Sequence, residues 1–277
     1  MTEITAWYTR TGRHDLVWRQ TRDRWAVLVS EVMLHQTQVP RVAAAWPGFM
    51  ARFPTPDAMA QAGPGAVIAA WGTLGYPRRA RRLWEAAVVL AADGWPDDLA
   101  SLPGVGRYTA RAVAAQCDDA DLPAVEANTR RVAERAAGRQ LSDRDAEEVL
   151  VELGAPLRGR DRLLALMDVG ALVCRPRTPR CGECPLCPRC ASRGTRTGER
   201  RSRQPRFEGS FRQRRGRVMA RLRAGEPVDA RALDADALTS LVEDGLAVIE
   251  DGTTARLPET GEARNGYEPY GAPTSAD

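Results

Sequence analysis

The 277-residue sequence predicts an all-α protein with a small mixed module near its C-terminal end. Three observations carry that prediction. Across residues 25–174, apolar residues recur at helical spacing, alanine, leucine and arginine dominate, and the sustained alternation that strands require is missing. Short breakers cut this stretch into helix-sized pieces. Beyond a cysteine cluster and an arginine-rich stretch, two helical patterns are followed by two short β-prone runs on either side of Asp251-Gly252.

The elements follow in chain order. The first strong helix begins at Trp25 and is apolar almost throughout. Breakers fall at residues 53–56, 63–65, 72–77, 94–98, 103–106 and 118–123, each rich in glycine, proline or aspartate. Ser142 with Asp145 three residues on has the form of a capping box, opening a helix that ends near Gly154. Trp25, Trp46, Trp71 and Trp84 sit at apolar helical positions and read as core. Residues 193–210 are polar and nearly free of aliphatics, as expected of a solvated linker or an arm that tracks a polyanion. Residues 215–223 and 235–243 read as helices, and 246–249 with 253–257 as a hairpin. Together they suggest a winged-helix-like module over 211–258, followed by a disordered tail over 259–277.

Composition narrows the function classes. The chain has room for one large domain and one small one. The apolar run at Trp25 is short and follows Arg22, Asp23 and Arg24, so neither a signal peptide nor a membrane span is expected, and the reading is a soluble cytoplasmic protein. All 40 basic residues are arginine. Net charge is only +4, yet residues 193–223 hold twelve arginines against Glu199 and Glu208, which favours a nucleic-acid partner. Five of the six cysteines lie between Cys174 and Cys190, a density that in a cytosolic chain points to metal binding rather than disulfides. The sixth, Cys117, reads as a small buried hydrophobe.

Four motifs bear on chemistry. In Leu102-Pro103-Gly104-Val105-Gly106-Arg107-Tyr108-Thr109-Ala110, glycines form a tight turn that opens a helix and exposes backbone N-H groups to a phosphate; the bland alternative is an ordinary helix-helix turn. Glu31 stands alone in the middle of the apolar helix, either as a buried acid or on a solvated face. Glu126 precedes another helix, where an acid also favours the helix dipole. Cys174, Cys181, Cys184 and Cys190 are spaced C-x6-C-x2-C-x5-C, a set that can hold zinc or a 4Fe-4S cluster.

Over about residues 6–190 these motifs resemble the endonuclease III superfamily, and within it the adenine glycosylase branch called MutY. The resemblance implies a helix-hairpin-helix DNA glycosylase fold over residues 1–192, with a six-helix part at about 21–125 and an iron-sulfur cluster domain made of 1–20 plus 126–192. It implies that Glu31, in Ser-Glu-Val-Met-Leu-x-Gln-Thr-Gln, protonates a departing adenine and then helps activate water. Breaking a sugar-base bond develops positive charge on the sugar, so a second carboxylate is needed. The family carries aspartate there and this chain carries Glu126, which displaces the carboxylate by on the order of 1 Å; misplacement of that size can cost about a hundredfold in rate. A shifted backbone, a different substrate, or DNA binding with little catalysis would each accommodate it.

By the same resemblance, Tyr108 occupies the place of the lysine with which strand-cleaving members form a Schiff base, so the expected enzyme is monofunctional and leaves an abasic site. Gln36 is the wedge for the flipped nucleotide; Tyr76, Gly104, Gly106, Arg107, Tyr108 and Asn128 are the further DNA contacts. His35 and Pro77 depart from a glutamine and a tyrosine common in relatives, and Asp168 reads as structural. The cysteine spacing matches the family's 4Fe-4S loop, with Cys187 a spectator. The implied partner is double-stranded DNA bearing a mismatch or damaged base, met by a monomer in the cytoplasm at the nucleoid. Long relatives add a Nudix-like domain that reads 8-oxoguanine, and the short C-terminal module leaves that recognition open. The competing readings are a T/G or U/G mismatch glycosylase, a non-catalytic DNA-binding protein and a redox carrier.

Overall fold

The computed structural model describes residues 3–193 and 206–262, which form eleven α-helices and three short strands. The all-α prediction with a small C-terminal sheet holds. The described residues pack as two units, one made of residues 3–50 and 95–193, the other of 51–94 and 206–262. The expected linker falls mostly on residues 194–205 and the expected tail mostly on 263–277, outside the described residues.

In the first unit, α1 (Glu3–Thr11) is followed by α2 (Arg24–Leu34), whose N-terminus is capped by Asp23 accepting from the Ala26 N-H at 2.7 Å. Every side chain of α2 from Trp25 to Met33 is buried, which is why this helix is apolar on all faces. After α3 (Val39–Arg52), the unit resumes beyond Gly94 with a tight turn. Leu102 and Val105 are buried plugs, while Gly104 turns the chain at φ 75°, a conformation that other residues adopt only with strain. Gly106 opens α6 (Arg107–Asp118), which packs against α2. Then come α7 (Ala127–Ala137), α8 (Asp143–Gly154) and α9 (Gly159–Asp168), ending in one wider turn over Val169–Val173. Ser142 accepts from the Asp145 N-H, so α8 starts and stops where its cap and Gly154 predict.

A core of Ile4, Trp7, Val132, Leu150, Leu164 and Val169 binds α1 to α7, α8 and α9. Asp168, wholly buried, fastens the N-terminal segment to α9: Arg13 and Arg19 both reach its carboxylate, the latter through two hydrogen bonds of 2.8 and 2.9 Å. Burial alone would push this carboxyl up, but the hydrogen bonds and charge of Arg19, with Arg13, outweigh it and hold it below its ordinary value. The structural reading of Asp168 is borne out.

The second unit starts with α4 (Pro56–Trp71) and α5 (Arg78–Asp93), and continues after the undescribed stretch with α10 (Phe211–Leu222), β1 (Val228–Asp229), α11 (Ala235–Glu243), β2 (Val248–Glu250) and β3 (Thr254–Arg256). Strand order is β1-β3-β2, all antiparallel. The β2-β3 hairpin turns at Asp251 and Gly252, both at positive φ, as the Asp-Gly pair implies. Two details differ from the sequence reading. Helix α10 starts at Phe211, four residues ahead of the expected Arg215, because Ser210 caps it, and β1 is too short to leave a pattern. Residues 51–94 were read with their chain neighbours, yet they pack with the C-terminal module. The reason is visible at the breaker: Gly63 interrupts α4 at φ 79°, and the freed Gly65 N-H donates to the Pro258 carbonyl at 2.9 Å. Arg81 on α5 adds a 2.8 Å bond to the Asp244 carbonyl. The first residues of the expected tail are held in place as well, with Arg256 Nη1 donating to Glu262 Oε2 at 2.7 Å. Trp25, Trp71 and Trp84 are core as predicted; Trp46 is half-buried and donates to the Ala26 carbonyl at 3.3 Å.

Candidate active site

The solvated-face alternative for Glu31 is excluded, since the residue is 3 % exposed. Helix α2 has no solvated face, so its single carboxylate can exist only with partners. One is Gln116 of α6, whose Nε2 donates to Glu31 Oε1 at 2.8 Å. Tyr108, in the first turn of the same helix, lies close enough to act on the Glu31 carboxyl and donates its hydroxyl to Met167 Sδ at 3.9 Å. Burial raises the affinity of Glu31 for its proton; the bond from Gln116, the Tyr108 hydroxyl and the charge of Arg19 oppose that without cancelling it, while Glu126 adds to it. The Tyr108 hydroxyl is held well above an ordinary phenol, first by burial and then by the charges of Glu31 and Glu126, so it remains neutral.

Glu126 stands at the start of α7. It is the N-cap of that helix: Oε1 accepts from the Thr129 N-H at 3.3 Å, and its own N-H donates to Thr129 Oγ1 at 2.9 Å. The capping reading of this residue is borne out, and the capping carboxylate is also a charge felt by Glu31 and Tyr108. An acid of raised proton affinity, a neutral phenol and a capping carboxylate whose charge reaches both thus come from α2, α6 and α7. Such a set of groups can donate a proton to a leaving group and stabilise a cation beside it.

Other predicted residues are placed as follows. Gln36 is exposed in the turn after α2, in a left-handed conformation with φ 54°. Its neighbour His35 pairs through Nε2 with Thr109 Oγ1 at 3.0 Å, which ties that turn to the start of α6. Gly104, Gly106 and the N-terminus of α6, which has no side-chain cap, form the hairpin that leaves N-H groups available. Arg107 is exposed and pairs with Glu147 at 2.8 Å. Tyr76 belongs to the second unit; it is 44 % exposed, also at positive φ, with the Arg79 guanidinium 5.5 Å from its ring centre.

Asn128, two residues past the cap, leads toward the cysteines. Its Oδ1 accepts from Arg131 Nη2 at 2.9 Å, and the buried Arg131 also holds the Gly170 carbonyl at 2.8 Å and the Cys174 carbonyl at 2.7 Å. A turn later, Arg135 reaches Cys174 Sγ at 3.5 Å and the carbonyls of Arg175 and Pro176. A Cβ on Gly170 would lie 2.8 Å from the Asn128 Cβ, so this contact requires glycine.

Cys174, Cys181, Cys184, Cys187 and Cys190 line one pocket with Arg135, Arg180 and Arg193, and none is in a disulfide. Burial pushes the Cys184 thiol up to about 11, neighbouring thiols add to the shift, and Cys190 is raised for the same reasons. The raised Cys184 and Cys190 thiols ionise more readily beside a cationic group. Among the described residues no three such side chains converge tightly enough for a single metal ion. These thiols, gathered in one pocket, suit the zinc or iron-sulfur group that their spacing implies.

Comparison with known proteins agrees with this geometry. Residues 29–156 match the model of the HhH-GPD superfamily base excision DNA repair proteins. An adenine DNA glycosylase from Mycolicibacterium smegmatis is 42 % identical, over 95 % of this chain and 97 % of its own length. The chain belongs to the HhH-GPD superfamily of base excision DNA repair proteins. An adenine DNA glycosylase from Mycobacterium tuberculosis is 46 % identical over 87 % of this chain and 84 % of that protein. The solved structure of a thermostable thymine-DNA glycosylase superposes with a TM-score of 0.63 at 28 % identity, covering 69 % of this chain and 93 % of that one.

Several residues of this HhH-GPD site escaped the sequence reading. Gln116 is a polar residue on the apolar face formed by Ala112, Val113 and Ala115, a mismatch of pattern that could have flagged it. Arg131 and Arg135 looked like an ordinary arginine-rich helix face. Nothing local distinguishes them from the solvated arginines around them.

Proposed function

We propose that the protein is a monofunctional adenine DNA glycosylase that hydrolyses the N-glycosidic bond of adenine mispaired with 8-oxoguanine or G in double-stranded DNA, leaving an abasic site. The observation that carries this reading is Glu31, an acid buried in α2 with its proton affinity raised, close enough to Tyr108 and Glu126 for their groups to act on it. Glu31 gives its proton to the departing base, Glu126 stabilises the positive charge on the sugar, and the ionised Glu31 then takes a proton from the attacking water. Tyr108 cannot form a Schiff base, and the chain contains no lysine to replace it. Gln36, Tyr76, Gly104, Gly106, Arg107, Tyr108 and Asn128 are the DNA-contacting set, with base flipping opening the path to Glu31.

Cys174, Cys181, Cys184 and Cys190 would hold a 4Fe-4S cluster, with Cys187 as bystander. When bound, the cluster supplies a structural cross-link for the loop that carries Arg175, Arg177, Arg180 and Arg189. Residues 1–192 form the glycosylase region and 211–258 an accessory module, and the protein works as a monomer on nucleoid DNA. No described helix is long and apolar enough to cross a membrane.

The test is incubation of the protein with duplexes carrying A opposite 8-oxoguanine, A opposite G, T opposite G and U opposite G, followed by alkaline cleavage. Scission at the adenine with either adenine substrate, absent in Glu31→Gln, is the expected result. Scission confined to the T or U duplexes would replace adenine as the substrate, and tight binding to all with no scission would leave a DNA-binding protein.

A further inference from the structure

Gln116 has no part in the reaction as written, yet it sits at its centre. It is 1 % exposed, on the face of α6 that packs against α2, and its amide spends an N-H on Glu31 Oε1. Its backbone is anchored as well: the Gln116 carbonyl accepts from Arg160, which also holds the carbonyls of Arg19 and Thr21. An amide N-H can only donate, so the oxygen it meets must be an acceptor. In a neutral carboxyl the unprotonated oxygen is the stronger acceptor, so this bond favours the proton of Glu31 on Oε2.

The other groups facing Glu31 do not make that choice. The Tyr108 hydroxyl can give or take a hydrogen bond. Arg19, from the segment ahead of α2, acts through its charge, and its guanidinium is engaged by Asp168. Glu126, at the N-cap of α7, acts through repulsion.

We propose that Gln116 is a positioning residue for base release, holding Glu31 Oε1 as an acceptor so that Oε2 carries the proton delivered to the departing base. This rests on Glu31 being the catalytic acid. The same bond favours the ionised carboxylate and so moderates the effect of burial, which suits a group that must release a proton and then take one back.

The test is single-turnover release of adenine from an A opposite 8-oxoguanine duplex, as a function of pH, for the wild type, Gln116→Met, Gln116→Glu and Glu31→Gln, with duplex affinity measured alongside. Gln116→Met keeps the shape without the donor. It should lower the rate at the optimum by on the order of tenfold, leave duplex affinity unchanged, and move the alkaline limb to higher pH, since the bond that favoured ionised Glu31 is gone. Gln116→Glu should move the limb the same way by like-charge repulsion, and it carries the test if Gln116→Met does not fold. A limb at its wild-type position in the folded variants would reduce Gln116 to packing and overturn the proposal. Wild-type activity in Glu31→Gln would instead remove the reading of Glu31 on which it stands.

Discussion

At the scale of single residues, this site is organised by one buried acid and the groups that compensate it. Because the folded state holds the Glu31 proton more tightly than the unfolded chain does, the folded state binds more protons above the unfolded pKa of about 4.3. Stability therefore falls as pH rises from that value toward the raised folded pKa. Glu31→Gln, which cannot ionise, should abolish base release and yet melt higher than the wild type at pH 8, with the gap narrowing toward pH 4. Thermal denaturation at the two pH values checks it, and an equal or lower melting point at pH 8 would contradict the burial argument. Glu126 combines two tasks that either acidic residue can perform, since both glutamate and aspartate bring a carboxylate to the end of α7. Glu126→Gln should lower the single-turnover rate by on the order of a hundredfold or more, whereas Glu126→Asp, which keeps both the cap and the charge, should retain more activity than Glu126→Gln.

At the scale of elements, α7 connects the candidate catalytic carboxylate to the cysteine loop. Glu126 caps its first turn, Asn128 and Arg131 meet Gly170 and Cys174, and Arg135 meets Cys174 and the two residues after it. The helix must lie close against the turn at Gly170, where no side chain fits. Gly170→Ala should cost about 1–3 kcal/mol in urea unfolding and should lower base release as well, because the clash falls two residues from Glu126. In the loop itself, Cys181→Ala should lose iron and sulfide on purification, whereas Cys187→Ser should retain both. Loss from both variants alike would make Cys187 a ligand.

At the scale of the whole molecule, charge and long-range ties matter more than any one contact. With all 40 basic residues arginine and twelve of them in residues 193–223, duplex binding should weaken by about a thousandfold between about 50 and 200 mM salt. Fluorescence anisotropy across that range checks it, and a flat response would argue against a phosphate-dominated interface. Asp168 draws the N-terminal segment to α9, across about 150 residues of chain, and its lowered carboxyl stabilises the fold above its unfolded pKa and ceases to as pH falls through the folded one. Asp168→Asn leaves Arg19 buried without its counter-charge and should cost about 3–5 kcal/mol at pH 7. The difference from wild type should shrink in acid, as read from urea midpoints at each pH.

The amino-acid sequence by itself determined the helical class, most breakers, the Ser142 cap, the Asp251-Gly252 turn, the hairpin at Gly104 and the cysteine spacing. Each of these is a local pattern, written in a few consecutive residues by propensity, capping or backbone conformation. It also singled out Glu31, a lone carboxylate in an apolar helix, and, through the family resemblance, Glu126. Whether Glu31 was buried, and what compensated it, lay outside any window of sequence: Gln116 is 85 residues away. The pairing of Asp168 with Arg13 and Arg19, the reach of Arg131 and Arg135 to Cys174, and the grouping of α4 and α5 with the C-terminal module were decided by tertiary structure alone. An arginine has the same pattern on a solvated face as in a buried network, and a freed backbone N-H does not name its acceptor. Only packing determines which polar groups lose water together, and therefore which must satisfy one another.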